Sequence, residues 1–282
     1  MKTILAISLS VLSAALTAAS CTSVSDIEPA TLPEVSGVHA AKVTGIIPST
    51  RAIPGSSVKS EWTSEDWIYA YNGGKHSYFK ANEEGSDSSF TLSGSDSDWS
   101  DGVAYAAYPK SVKFNGGKYR MSFQGQSGLY TGLDRFNLMT SKSRVSDGEA
   151  SFTFTSRVAV LAIPAEDIMY SGTKATKVVV SGENFSSVVS VDITGGDFRI
   201  SAEGNEELVV NSPSVEDGMI FVALVPTSGS LSVDLYDNIG GHFFSSIADA
   251  GSLPTGSIHD MSGEKWDGGI EITFSPSVAN WD

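Results

Sequence analysis

Short apolar runs that stop at glycine, asparagine, aspartate or proline recur along this chain, and no segment keeps a helical period over three turns. Punctuation of that kind directs the chain into β-strands joined by tight turns. Lys118-Tyr-Arg-Met-Ser-Phe123, Ala150-Ser-Phe-Thr-Phe154 and Val158 to Ile163 read as strands, as do the aromatic-rich Ile68 to Tyr71 and Val103-Ala-Tyr-Ala-Ala-Tyr-Pro109. Asn72-Gly-Gly, Asn115-Gly-Gly and Asp147-Gly are turn signals between them, and Gly85 to Gly102 reads as a Ser/Asp/Gly loop. Ala165 to Tyr170 supports one short helical turn at best.

The second half repeats the style. Ala175 to Ser181, Val188 to Ile193, Glu207 to Asn211, Met219 to Val225, Ser230 to Tyr236 and Gly269 to Phe274 are strand candidates. Many short strands with turn chemistry between them indicate an all-β chain of sandwiches rather than an α/β enzyme. A length of 282 residues allows one large or two medium β domains. Proline, acid and glycine interrupt two apolar runs at Ala165 to Thr173, which places a domain boundary there, with domains at 37–166 and 167–282. A single long sandwich is the alternative.

The N-terminus carries different information. Lys2 and the apolar run Ile4 to Leu16 form an export leader, residues 1–20, too short to span a bilayer. Cys21, the only cysteine, follows Ala18, Ala19 and Ser20 and reads as a lipid attachment point. A thioether-linked diacylglycerol plus a palmitate-type amide would anchor the chain, at ~0.8 kcal/mol for each buried methylene. Ordinary cleavage after Ala18 or Ala19, leaving a free cysteine, is the other reading. Thr22 to Leu32 is rich in Ser, Asp, Glu and Pro, which makes residues 21–36 a disordered tether. Val38 to Ile47 then has the β-branched content of one strand, and Arg51-Ala52, set in Pro48-Ser-Thr-Arg-Ala-Ile-Pro-Gly55, reads as a site for a trypsin-like protease. A lipid, a removable first strand at 37–51 and a cleavage point describe a surface subunit that arrives anchored and is later released.

Charge and motifs narrow the function classes. Thirty-three acidic and 18 basic side chains give a net charge of −15, or −16 once Lys2 leaves with the leader. Nucleic acid and anionic membrane faces would repel such a chain. Gly-x-Ser-x-Gly, His-Glu-x-x-His and Gly-x-Gly-x-x-Gly do not occur, so no catalytic residue and no cofactor are expected. His39, His76, His242 and His259 lack ligand spacing and read as surface or turn residues, without a metal. Asp96-Ser-Asp-Trp-Ser-Asp-Gly102 is similar to a calcium loop, but its third acid and its glycine each come one place late, so a solvated loop is the expectation. Of Trp62, Trp67, Trp99, Trp266 and Trp281, most read as core; Trp99, among Ser and Asp, reads as exposed. An exposed Trp99 supports an alternative function, a glycan-binding outer-membrane lipoprotein.

Trp62-Thr-Ser-Glu-Asp-Trp-Ile-Tyr-Ala-Tyr71 is followed in order by Tyr105-Ala-Ala-Tyr-Pro109, Gln124 to Gln126, Asn137-Leu-Met139, Phe152 to Ile163 and Gly251-Ser-Leu-Pro-Thr-Gly256. In that order the chain resembles the fimbrillin family of Bacteroidales surface lipoproteins, subunits of type V pili. Two positions depart from the family pattern: Arg157 stands where many members have histidine, and Glu65 where glycine is usual. The resemblance implies two transthyretin-like β-sandwich domains in tandem behind a lipoprotein signal peptide. It also implies cleavage behind an arginine, here Arg51, and assembly into a cell-surface fimbrium by strand exchange, in support of cell adhesion. The implied partners are other pilus subunits, the outer membrane, an Arg-specific trypsin-like protease and a host or glycan ligand. The candidate donor is the C-terminal segment, where Ile270, Ile272 and Phe274 share one face and Glu271 and Thr273 the other. The same segment also reads as the last strand of its own domain.

Overall fold

The structure, a computed structural model, describes residues 42–46, 61–93, 99–110, 113–115, 118–194 and 198–270. The first strands are β1 (Lys42–Ile46), β2 (Trp67–Asn72), β3 (Lys75–Ala81), β4 (Asp87–Ser93), β5 (Gly102–Tyr108), β6 (Lys113–Asn115) and β7 (Lys118–Ser122). Next come β8 (Met139–Val145), β9 (Glu149–Thr153), β10 (Thr155–Ser156), β11 (Ala159–Ile163) and the short helix α1 (Ala165–Ile168). The remainder holds β12 (Ala175–Gly182), β13 (Val188–Asp192), β14 (Arg199–Ala202), β15 (Leu208–Asn211) and β16 (Ile220–Leu224). It ends with β17 (Leu231–Asp237), β18 (His242–Ile247), β19 (Ile258–Asp260) and β20 (Asp267–Gly269). The protein is all-β, as the punctuated apolar runs require.

Two of the turn signals show why the strands fold back. Gly73 and Gly74 both have positive φ and let Asn72 pair with Lys75, closing the β2–β3 hairpin. Asp147 and Gly148, again with positive φ, turn β8 into β9 through the Ser146–Glu149 bridge. The Ser/Asp/Gly stretch expected to be a loop contains β4 instead. Within it Ser88 and Phe90 are buried at period two, small serines filling inward positions that composition alone assigns to solvent.

Among the described residues the strands form four sheets. The largest has the order β10-β8-β5-β2-β3-β4-β1-β9. One face of it buries an aromatic core in which Trp62 meets Phe90, Tyr108 and Phe154 edge-on, with ring centroids 5.1, 5.4 and 5.3 Å apart. Strand β2 is buried on both faces: Ile68 and Ala70 join this core, while Tyr69 joins a second one with Tyr119 and Phe123. The five-stranded sheet, β15-β12-β17-β18-β20, places Val178, Val180, Val233, Leu235 and Phe243 in that second core. Strand β17 alternates cleanly between buried and half-buried positions, the mark of a strand with one covered face.

The two remaining sheets draw on both sides of residue 166. Strand β13 pairs with β7, Val189 opposite Met121 and Val191 opposite Tyr119. Strand β11 pairs antiparallel with β16 and parallel with β19. All these strands fall within one unit, Val38–Asp282.

Candidate functional site

The position of β1 in the largest sheet defines the candidate site. It is an interior strand, antiparallel to β4 on one flank and parallel to β9 on the other. Val43 stands in register between Phe90 and Ala150, and Gly45 between Ser88 and Phe152. Those four neighbours are all buried, and Phe90, Ala150 and Phe152 belong to the aromatic core around Trp62.

The flanking strands depend on β1 in different degrees. Strand β4 keeps β3 as a second partner, with Phe79 opposite Leu92. Strand β9 has no other ladder among the described residues. It meets β8 at the tight turn, through the Ser146–Glu149 bridge, and beyond it through Ser151 N–H, which donates to Ser143 Oγ at 3.2 Å. The parallel pairing joins Lys42–Ile46 to Glu149–Thr153, 107 residues further along the chain. Without β1, the facing backbone edges of β4 and β9 would stand open beside a buried aromatic core.

Cys21, Arg51, Ala52, Ile272, Phe274, His39 and Trp281 are outside the described residues, as are the leader and the tether. Ile270 is half-buried directly after β20, which pairs with β18 at the edge of the five-stranded sheet, Gly268 opposite Phe243. Of the strand expected at Gly269 to Phe274, residues 271–274 lie outside the described residues; the described ladder covers Asp267–Gly269. Glycine makes it possible, since a Cβ on Gly268 would lie 2.2 Å from the His242 carbonyl oxygen.

Trp99 corrects an expectation. It is 8% exposed, packed edge-on against Phe79 at 5.1 Å and Phe152 at 6.4 Å between ring centroids. Its polar sequence neighbours hid a core residue, and the glycan-stacking role assigned to it falls with its burial. Trp62 is fully buried, and Trp67 is half-buried under the Lys110 ammonium, 4.1 Å from the ring centroid. His76 is exposed, near the Tyr69 ring. His242 stacks on Tyr236 with centroids 4.4 Å apart and places Nε2 2.7 Å from Asp234 Oδ1, while His259 Nε2 lies 3.4 Å from Glu264 Oε1. Among the described residues no three His, Cys, Asp or Glu side chains are placed to hold a metal, and no helix is long and apolar enough to cross a membrane.

Gln124 and Gln126 carry structural work that their polar sequence setting did not announce. The Gln126 amide is buried; its NH2 donates to the Ala223 carbonyl at 2.7 Å and its carbonyl accepts from Ala223 N–H at 2.7 Å. Gln124 treats the start of β15 alike, donating to the Glu207 carbonyl at 2.5 Å and accepting from Val209 N–H at 3.3 Å. Each side-chain amide stands in for a strand's peptide group, tying the segment after β7 to strands of the second half.

Two solved structures share the fold of this chain. A candidate cell adhesion protein from Bacteroides uniformis ATCC 8492 aligns over 82% of this chain and 96% of its own, at 17% identity and a TM-score of 0.54. Another, from Bacteroides ovatus ATCC 8483, aligns over 80% and 94%, at 14% identity and a TM-score of 0.53. No family model matches the chain, and no curated protein does. At these identities the likeness is one of fold.

Proposed function

We propose that this chain is a subunit of a cell-surface pilus, exported as a lipoprotein on Cys21, cleaved between Arg51 and Ala52, and assembled by β-strand exchange in support of adhesion. The observation that carries this reading is the interior place of β1, bonded on both flanks and located N-terminal to the arginine. Cleavage would cut β1 from the body of the protein. Ladder hydrogen bonds contribute ~1 kcal/mol net each, so two ladders weigh heavily against the ~5–15 kcal/mol that holds a domain together. A subunit that lost them would expose two backbone edges over an apolar core, and a strand from a second copy would restore both.

The strand that fits is the C-terminal segment with Ile270, Ile272 and Phe274 at period two. The fold shared with candidate cell adhesion proteins of Bacteroides supports a surface role of the same kind. In this scheme the outer membrane holds the precursor through its lipid, and an Arg-specific protease releases the subunit to its neighbours. Digestion of the purified full chain with a trypsin-like protease tests it. The expected result is a new N-terminus at Ala52 and ladders of subunits that survive mild detergent; first cleavage elsewhere, or a product that stays monomeric, contradicts it.

A further inference from the structure

A pocket of about 400 Å³ opens on the face of β8, β9 and β10 turned from the aromatic core. Thr153, Thr155 and Arg157 alternate with the buried Phe152 and Phe154, so they share the face turned from the aromatic core. Thr140 pairs with Thr155 across the ladder and, with Lys142, continues the row on the neighbouring strand. Phe198, from the second half of the chain, forms a wall.

Arg157 is the informative residue. Its guanidinium is half-buried, 5.8 Å from the Phe198 ring centroid. Its Nε–H donates to Thr140 Oγ1 at 2.7 Å, and among the described residues no carboxylate lies within ion-pair distance of it. A guanidinium carries five donors in a planar fork, and among the described residues neither terminal NH2 group has a protein acceptor. Burial lowers its titration from the ordinary arginine range, and among the described residues no anion opposes the shift. A half-desolvated cation without a counter-charge costs free energy unless an anion completes it. The presence of a second cation, Lys142, on a chain of net charge −15 makes the local reversal of sign sharper.

We propose that this pocket binds a small acidic sugar, its carboxylate or sulfate gripped by Arg157 and its ring laid against Phe198. Bidentate capture of a planar or tetrahedral oxyanion is what a guanidinium fork does best. Three threonine hydroxyls, which both donate and accept, match a polyol rather than a bare ion. The volume also lies within the ~300–1,000 Å³ of small-molecule sites, larger than an inorganic anion needs. All the lining residues belong to one chain, so the site would operate in a single subunit.

The test is calorimetric titration of the purified full chain with glucuronate, N-acetylneuraminate and N-acetylglucosamine 6-sulfate, with neutral N-acetylglucosamine and inorganic sulfate as the comparison arms. Saturable binding of at least one acidic sugar is expected, weakened at least about tenfold by Arg157→Gln and measurably by Phe198→Ala. Preference among the acids separates a carboxylate ligand from a sulfate ligand. Arg157→Lys, which keeps the charge and loses the fork, should fall between wild type and Arg157→Gln, and circular dichroism checks that each variant is folded. Binding of the neutral sugar as tight as the acids, sulfate as tight as the sulfated sugar, an unaffected Arg157→Gln, or no binding at millimolar ligand would each overturn the assignment.

Discussion

The Tyr108 hydroxyl donates to Asp66 Oδ1 at 2.8 Å within the wall of the aromatic core, linking the end of β5 to the turn that precedes β2. The other carboxylate oxygen of Asp66 accepts from Thr63 N–H at 2.7 Å and from Thr63 Oγ1 at 3.1 Å. One buried acid thus fixes the turn that carries Trp62 into the core and the strand end that packs against it. Tyr108→Phe removes a hydrogen bond to a buried charge without changing the ring. It should lower stability by about 1–3 kcal/mol, read as a lower urea midpoint at unchanged slope.

The same contact sets an alkaline limit. Burial first, then the neighbouring Asp66 charge, pushes the Tyr108 phenol well above its ordinary value; burial does the same to Tyr69 and to the fully enclosed Tyr119. In the unfolded chain these phenols lose their protons near pH 10. Above that pH the folded state holds more protons than the unfolded state, so stability is fully present below about pH 10 and falls as pH rises beyond it. Urea midpoints should be insensitive to these groups from about pH 7 to 9 and drop above 10, and Tyr108→Phe should flatten part of that drop. Phenolate absorbance of the folded protein should report fewer than its nine tyrosines until it unfolds.

Gln126→Leu tests the link between the halves. It leaves the buried N–H and carbonyl of Ala223 without the amide that now satisfies both. A loss of about 2–4 kcal/mol is expected, from two stranded polar groups. Because β13 pairs with β7 and β16 with β11, a fragment of residues 167–282 should not fold alone, while one beginning at 118 retains those partners. Dispersion of amide resonances in the two fragments decides it.

Much of this architecture was legible because it is local. Period-two runs such as Leu231–Asp237, and glycine turns such as Asn72-Gly-Gly, write their structure in adjacent residues. Strand β4 escaped because Ser88 uses a polar side chain in a buried place, and Trp99 because burial depends on Phe79 and Phe152, far away in sequence. Likewise, nothing near Lys42–Ile46 names Glu149–Thr153 as its parallel partner. The Arg157 pocket has the same character: its wall, Phe198, comes from a distant hairpin.

Removal of the C-terminal segment separates processing from assembly. A chain truncated after Gly269 keeps β20 and loses Ile270, Ile272 and Phe274. It should still be cut between Arg51 and Ala52, since the proposed cleavage site is untouched, but should form no ladders with itself. Mixed with cleaved full-length chains, it should accept a strand and end the polymer, shortening ladders in proportion to its share. Gel electrophoresis in mild detergent reads both effects.

Mass spectrometry of subunits taken from filaments on the bacterial surface tests the central claim most directly. The expected chains begin at Ala52, with Lys42–Ile46 gone and the space between β4 and β9 filled by a neighbour. Filament subunits that still begin at Cys21 and retain Lys42–Ile46 would contradict it.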